Sequence, residues 1–159
     1  TDLSIGWVTF AVSTLVLLLW IPLRQKPGLG TLANIVVIAL VLDLAYSWLP
    51  VPDGLGLRYL FVFVGIGLIG LGSGFYLTAG HGPGPRDGWM TGLHHRTGRP
   101  VAQIRLGIEV VVLTVGWLLG GTVGIGTALF ALLIGQSVAL GLTVVRHVVP
   151  PAEPHAPQV

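Results

Sequence analysis

The run Val101-Ala-Gln-Ile-Arg105-Leu-Gly-Ile-Glu109-Val-Val-Val-Leu-Thr-Val-Gly-Trp-Leu-Leu119 decides what kind of protein this is. It comes close to the roughly 20 residues an α-helix needs to cross about 30 Å of hydrocarbon. Its two charges stand four residues apart, on one face of a helix. A surface helix of a soluble domain carries a polar stripe along its whole length, whereas the second half of this run is apolar all round. The run therefore reads as a membrane span whose charges face protein. A charge at mid-membrane costs about 2.5 to 3.5 kcal/mol on the insertion scale, so Arg105 and Glu109 are expected to pair and to point inward.

Four further stretches read the same way: Ile5 to Leu23, Thr31 to Leu49, Tyr59 to Ala79 and Gly124 to Val145, with Gly and Pro in the connectors. The 159 residues are 53% apolar and 9% charged, with a mean hydropathy of +0.87. A soluble domain carries about 25% charged residues, so a water-facing surface is excluded. The expected fold is all-α, a polytopic transmembrane helical bundle of five spans. The absence of cysteine rules out a disulfide framework and a thiolate metal site. Eight scattered basic residues make no nucleic-acid footprint.

Threading five spans gathers Arg24, Lys26, Arg86, Arg96, Arg99 and Arg146 on one side and leaves Arg58 on the other. The positive-inside rule makes the basic side cytoplasmic and Thr1 external, in a bacterial inner membrane. The tail from Pro150 to Val159 is read as a disordered cytoplasmic segment. No basic n-region precedes the first apolar run, which argues against a signal peptide. The chain begins at Thr1 rather than Met, as if a natural start lay upstream.

Sliding the chain on itself by 96 positions places Gly28-Leu-Gly-Thr31 on Gly124-Ile-Gly-Thr127 and sets the polar pair Thr9 and Ser13 on Arg105 and Glu109. The first two spans then superpose on the last two. Three spans separate the copies, an odd number, so the copies face opposite ways, as in the inverted repeats of secondary transporters. Residues 1–58 would form a first half with two spans, and residues 59–149 a second half with three. The first half would have its own leading helix and Gly-rich loop before Thr1, giving a 3+3 arrangement.

The stretch Gly82-Pro-Gly-Pro-Arg-Asp-Gly-Trp-Met-Thr-Gly-Leu-His-His-Arg-Thr-Gly98, followed by Arg105, Glu109 and Gly120-Gly-Thr-Val-Gly-Ile-Gly-Thr127, resembles the YczE/YitT-like bacterial integral membrane proteins. The resemblance implies two three-helix halves, each with such a loop, and a transporter-like fold without a named substrate.

Candidate chemistry concentrates between Gly80 and Pro100. Asp87 is expected to cap a short helix through Met90 and Leu93. Gly82 and Gly84 before it permit backbone conformations that aim N–H groups at an anion, and Arg86 adds positive charge. These four form the candidate substrate site, against the plainer reading of a capped surface helix. Trp89 is read as an interfacial anchor. Arg105, Glu109 and the lone carboxylate Asp43 form the candidate coupling set, against a neutralised pair that fixes packing. Asn34 is read as a bond between helices.

Gly65-Ile-Gly-Leu-Ile-Gly70 matches a dinucleotide-binding pattern in letters but lies inside an apolar run, where Gly70 and Gly74 read as close helix contacts. Gly116 and Gly120 repeat that spacing. The histidines lack metal-ligand spacing, and Ser73 sits among glycines, so neither a metal, a cofactor nor an enzyme activity is assigned. The function expected is small-molecule transport, with lipid and a small polar or anionic substrate as partners and helix packing available for a homo-oligomer. The alternative is a structural or regulatory subunit of a larger membrane complex.

Overall fold

The computed structural model describes residues 4–21 and 27–148. Arg24, Lys26 and the tail from Pro150 lie outside them. The described residues form six helices: α1 (Ile5–Leu18), α2 (Leu29–Trp48), α3 (Leu55–Thr78), α4 (Pro85–Thr97), α5 (Val101–Leu118) and α6 (Ile125–Val148). The all-α expectation holds. Four of the helices, α2, α3, α5 and α6, are long and apolar enough to cross a membrane.

The first expected span differs. Helix α1 has 14 residues, about 21 Å at 1.5 Å per residue, less than the hydrocarbon thickness. Leu19 and Trp20 already lie in a turn. Trp20 is held by another helix instead of extending its own, as described below.

Local signals set most helix ends. Ser4 caps α1, its Oγ accepting from the Trp7 amide. The entry to α3 needs a backbone that L residues rarely adopt, and Gly54 supplies it at φ 98°. Pro85 opens α4, and Gly98, left-handed at φ 67°, closes it with its amide on the His94 carbonyl, the usual division of labour between the two residue types. Hydroxyls inside the spans bond back to the preceding turn: Thr114 Oγ1 donates to the Val110 carbonyl at 2.7 Å and Thr143 Oγ1 to Ala139 at 2.9 Å. No polar hydrogen of theirs then faces lipid unpaired.

Helices α3 and α6 make the tightest contact. A Cβ on Gly74 would come within 2.5 Å of the Gly141 carbonyl oxygen, and one on Gly70 within 2.5 Å of the Ser137 carbonyl oxygen. Ser137 Oγ donates across the crossing to the Ile66 carbonyl at 2.8 Å. Lipid tails are as apolar as leucine, so helices associate in a membrane by close backbone approach and interhelical hydrogen bonds. Gly70 and Gly74 are therefore packing residues, as their spacing predicts. Gly116 meets no helix among the described residues, since a Cβ there would touch nothing within 4 Å, and Gly120 makes a turn at φ 91°.

A second crossing joins α5 to α6, with Gly135 against the Ala102 carbonyl, and a third joins α1 to α2, with Gly6 against the Ala39 carbonyl. The short helix α4 lies between these groups. Its Met90 packs with Ile66, Ile104, Ile134 and Val138 in the core, while its first turn meets α1 and α2. The α1–α2 pair touches the rest of the bundle chiefly through α4.

Gly141→Ala is expected to destabilise the protein by about 1 to 3 kcal/mol through overpacking against α3. Gly67→Ala, on the same α3 helix where a Cβ meets nothing, should leave stability unchanged or raise it by up to about 1 kcal/mol through helix propensity. Thermal unfolding in detergent distinguishes them, and equal effects would contradict the α3–α6 crossing.

Candidate functional site

Gly84 and Pro85 fix where α4 begins, and the turn before them is bound to the start of α2. The Gly30 amide donates to the His81 carbonyl at 2.9 Å, and Thr31 Oγ1 donates to the Pro83 carbonyl at 2.8 Å while accepting from the Gly28 amide at 3.1 Å. Gly82, at φ 103°, backs onto Thr31 and Gly28, and Gly84 backs onto Asn34 with 2.8 Å between a built Cβ and the Asn34 Oδ1. Both glycines thus permit close approach to α2. Asn34 stands against α4's cap.

Trp20 docks on the other side. Its indole Nε1 donates to the Pro85 carbonyl at 2.8 Å, its ring covers Gly88, and it is 2% exposed. The Pro85 carbonyl belongs to the first turn of α4. Trp20 is a residue beside the cluster that the sequence reading passed over, and its signal was a Trp at the end of an apolar run.

With its start thus fixed, α4 presents Arg86 and Asp87 to α5. Arg105 Nη1 donates to Asp87 Oδ1. Arg105 Nε lies 3.1 Å from Glu109 Oε1, the pairing expected of residues four apart. Arg86 Nη1 donates to that same Glu109 oxygen at 3.1 Å. The order is Asp87, Arg105, Glu109, Arg86, with alternating charge and none left over. Arg105 is 4% and Glu109 3% exposed, whereas the Arg86 side chain is 41% exposed. A buried charge must be paired to be tolerable, and here each one has an opposite neighbour.

Asp87 is not the cap of α4. Gly84 holds the cap position, and Asp87 sits in the first turn, where the positive end of the helix dipole favours a carboxylate. Its carboxylate reaches out to Arg105 instead of back to the helix amides. Burial pushes the Asp87 carboxyl above its ordinary range, and the Arg105 guanidinium pulls against that shift.

Asp43 is not in this cluster. Its Oδ1 accepts from the Gly6 amide at 2.7 Å and its Oδ2 from Ser4 Oγ at 2.8 Å, so the partner it was expected to need is the amino end of α1. A carboxylate there stabilises the helix start. The Trp89 indole N–H, expected at a membrane interface, is buried with no hydrogen-bond partner among the described residues.

The chain belongs to the family described as "Family of unknown function (DUF6198)", which matches residues 1–142. It is similar to an uncharacterized protein of Haemophilus influenzae, 43% identical over 157 residues that make up 99% of this chain and 70% of the relative. It is also similar to the uncharacterized membrane protein YczE of Bacillus subtilis, 34% identical over 119 residues, 75% of this chain and 55% of YczE. The matched residues are thus about half of YczE's length. No solved structure matches the chain. The resemblance read from the sequence stands for YczE and is not extended to YitT by these relatives. The apolar helices and the YczE likeness together make the chain a multi-pass membrane protein.

Arg105→Gln leaves two buried carboxylates short of a partner and is expected to cost about 3 to 5 kcal/mol. Adding Asp87→Asn should restore much of that loss, because the second change removes the stranded charge. Unfolding of the single and double variants in detergent measures the coupling, and strictly additive losses would show that the two residues do not interact.

Proposed function

We propose that this DUF6198 protein is a secondary transporter or permease for a small polar or anionic molecule, and that the Asp87–Arg105–Glu109–Arg86 cluster is its switch. The observation that carries the proposal is the placement of Glu109. It is buried to 3% exposure, yet one of its two arginine partners, Arg86, has a side chain 41% exposed. Arg86 can exchange Glu109 for water or for an incoming anion at the exposed corner of the cluster, its positive charge offsetting the anion's loss of water. Once Glu109 takes up a proton, Arg86 and Arg105 lose their shared counter-charge, the cluster carries a net positive charge, and the hold of α4 on α5 weakens.

Helix α4 is the main contact between the α1–α2 pair and the other helices, so weakening it frees one group to rock against the other. In this scheme Arg86 meets the substrate first, Asp87 and Arg105 hold α4 in the closed arrangement, and Gly82 and Gly84 keep the turn against α2.

The inverted repeat belongs to the same proposal. Helices α1 and α5 begin at Ile5 and Val101, and α2 and α6 at Leu29 and Ile125, both pairs 96 residues apart. The close crossing of Gly6 with Ala39 is answered by that of Ala102 with Gly135, at the same offset. Two related halves of opposite orientation are the architecture on which alternating access is commonly built. The basic ends lie in the cytoplasm of a bacterial inner membrane by the positive-inside rule.

The rival reading, a subunit of a larger complex, draws on the exposed apolar face of α2, where Val41, Leu44 and Trp48 have no neighbour to cover them. Native purification with a stoichiometric partner protein would favour it.

Glu109→Gln is expected to abolish at least nine-tenths of proton-coupled flux in vesicles offered a panel of small organic anions, with Arg58→Gln, outside the cluster, as the unaffected control. Undiminished flux in a well-inserted Glu109→Gln protein would remove Glu109 from the mechanism.

A further inference from the structure

The face of α2 away from α1 carries an apolar groove lined by Val41, Leu44, Ala45, Trp48 and Leu49. Every span has a lipid-facing side, so an exposed groove alone assigns nothing. Its register does. At the offset of 96 residues, Val41, Ala45 and Leu49 fall on Ser137, Gly141 and Val145 of α6. Those three residues are the ones α3 packs against: Gly70 meets Ser137 and Gly141, and Gly74 meets Gly141 and Val145. The groove is thus the α2 counterpart of the α3 seat, and Ala45 keeps a small residue at its centre.

We infer that this groove seats a further transmembrane helix of the same kind as α3, contributed by the same polypeptide upstream of residue 1. The chemistry of the occupant follows from that of α3: an apolar helix with small residues four apart, able to bring its backbone against Ala45. The source follows from order. Helix α3 precedes α5 and α6, so its counterpart precedes α1 and α2. Length permits it, because the matched stretch covers 70% of the Haemophilus relative and 55% of YczE. A second polar trace agrees. Thr9 and Ser13, the counterparts of Arg105 and Glu109, lie half-buried on α1, where a counterpart of α4 would reach them. The inference rests on the two-half reading above and is independent of whether the protein transports.

The test places a photo-crosslinking amino acid at Ala45 in the polypeptide expressed from its own reading frame in native membranes. A probe at the exposed Val36, about half a helical turn away around α2, serves as control. The expected product from position 45 is an intramolecular crosslink to a peptide upstream of residue 1, at monomer mass, with none from position 36.

A band at twice the mass, an adduct with another protein, or lipid adducts alone would overturn the inference. A crosslink to a peptide beyond residue 159 would overturn it too, and would break the inverted repeat while leaving the groove a helix seat. Should the probe impair insertion, Ala45→Cys serves, because residues 1–159 contain no cysteine and any outside them is replaced by Ser. Its reaction with a membrane-soluble maleimide should be at least tenfold slower than that of Val36→Cys. Equal rates would contradict a covered groove.

Discussion

A guanidinium at 4% exposure in a bundle surrounded by lipid must be neutralised where it stands, and Arg105 can meet that demand only with carboxylates from two helices. Glu109 comes from its own helix, one turn on. Asp87 comes from α4, and it can arrive only if α4 is drawn into the bundle. The solvation of one side chain therefore dictates the position of a helix too short and too polar to cross the membrane. Arg86 completes the balance, and because its side chain stays partly exposed the cluster is open at one corner.

The rest of the assembly follows from how α4 is accommodated. A helix can enter a crowded bundle only where neighbours leave room, and the room is made by residues without side chains. Gly88 lies beneath the Trp20 ring, and Gly82 and Gly84 let the preceding turn lie on α2. On the opposite side Met90 fills the space between α3, α5 and α6. The glycines of α3 and α6 do the same for the spans themselves, where close backbone contact replaces the hydrophobic drive that lipid removes. The high glycine content is in this sense a packing requirement.

The membrane class and most helix boundaries were legible because they depend on composition and local punctuation. Apolar length and the Gly and Pro of the connectors act within a few residues of themselves, although Gly54 and Pro85 start α3 and α4 ahead of the expected Tyr59 and Asp87. The Arg105–Glu109 pair was legible for the same reason, being separated by one helical turn. What could not be read was set by distant partners. Asp87 has the look of a helix cap until Arg105, eighteen positions on, claims its carboxylate. Asp43 has no partner on its own helix, and its acceptors are filled by Ser4 and Gly6 of another. The first apolar run continues past Leu18 in hydropathy, but α1 ends there and Trp20 docks on Pro85 and Gly88, partners far off in sequence.

Helix α4 joins the α1–α2 pair to the remaining helices, and its charge cluster is what holds it to α5. Pulsed electron spin resonance between nitroxides at Leu32 on α2 and Val144 on α6, both exposed, reports that junction in lipid nanodiscs. A single narrow distance distribution is predicted for the unaltered cluster, and a broad or bimodal one when Arg105 is replaced by Gln. A distribution equally narrow in both would contradict it.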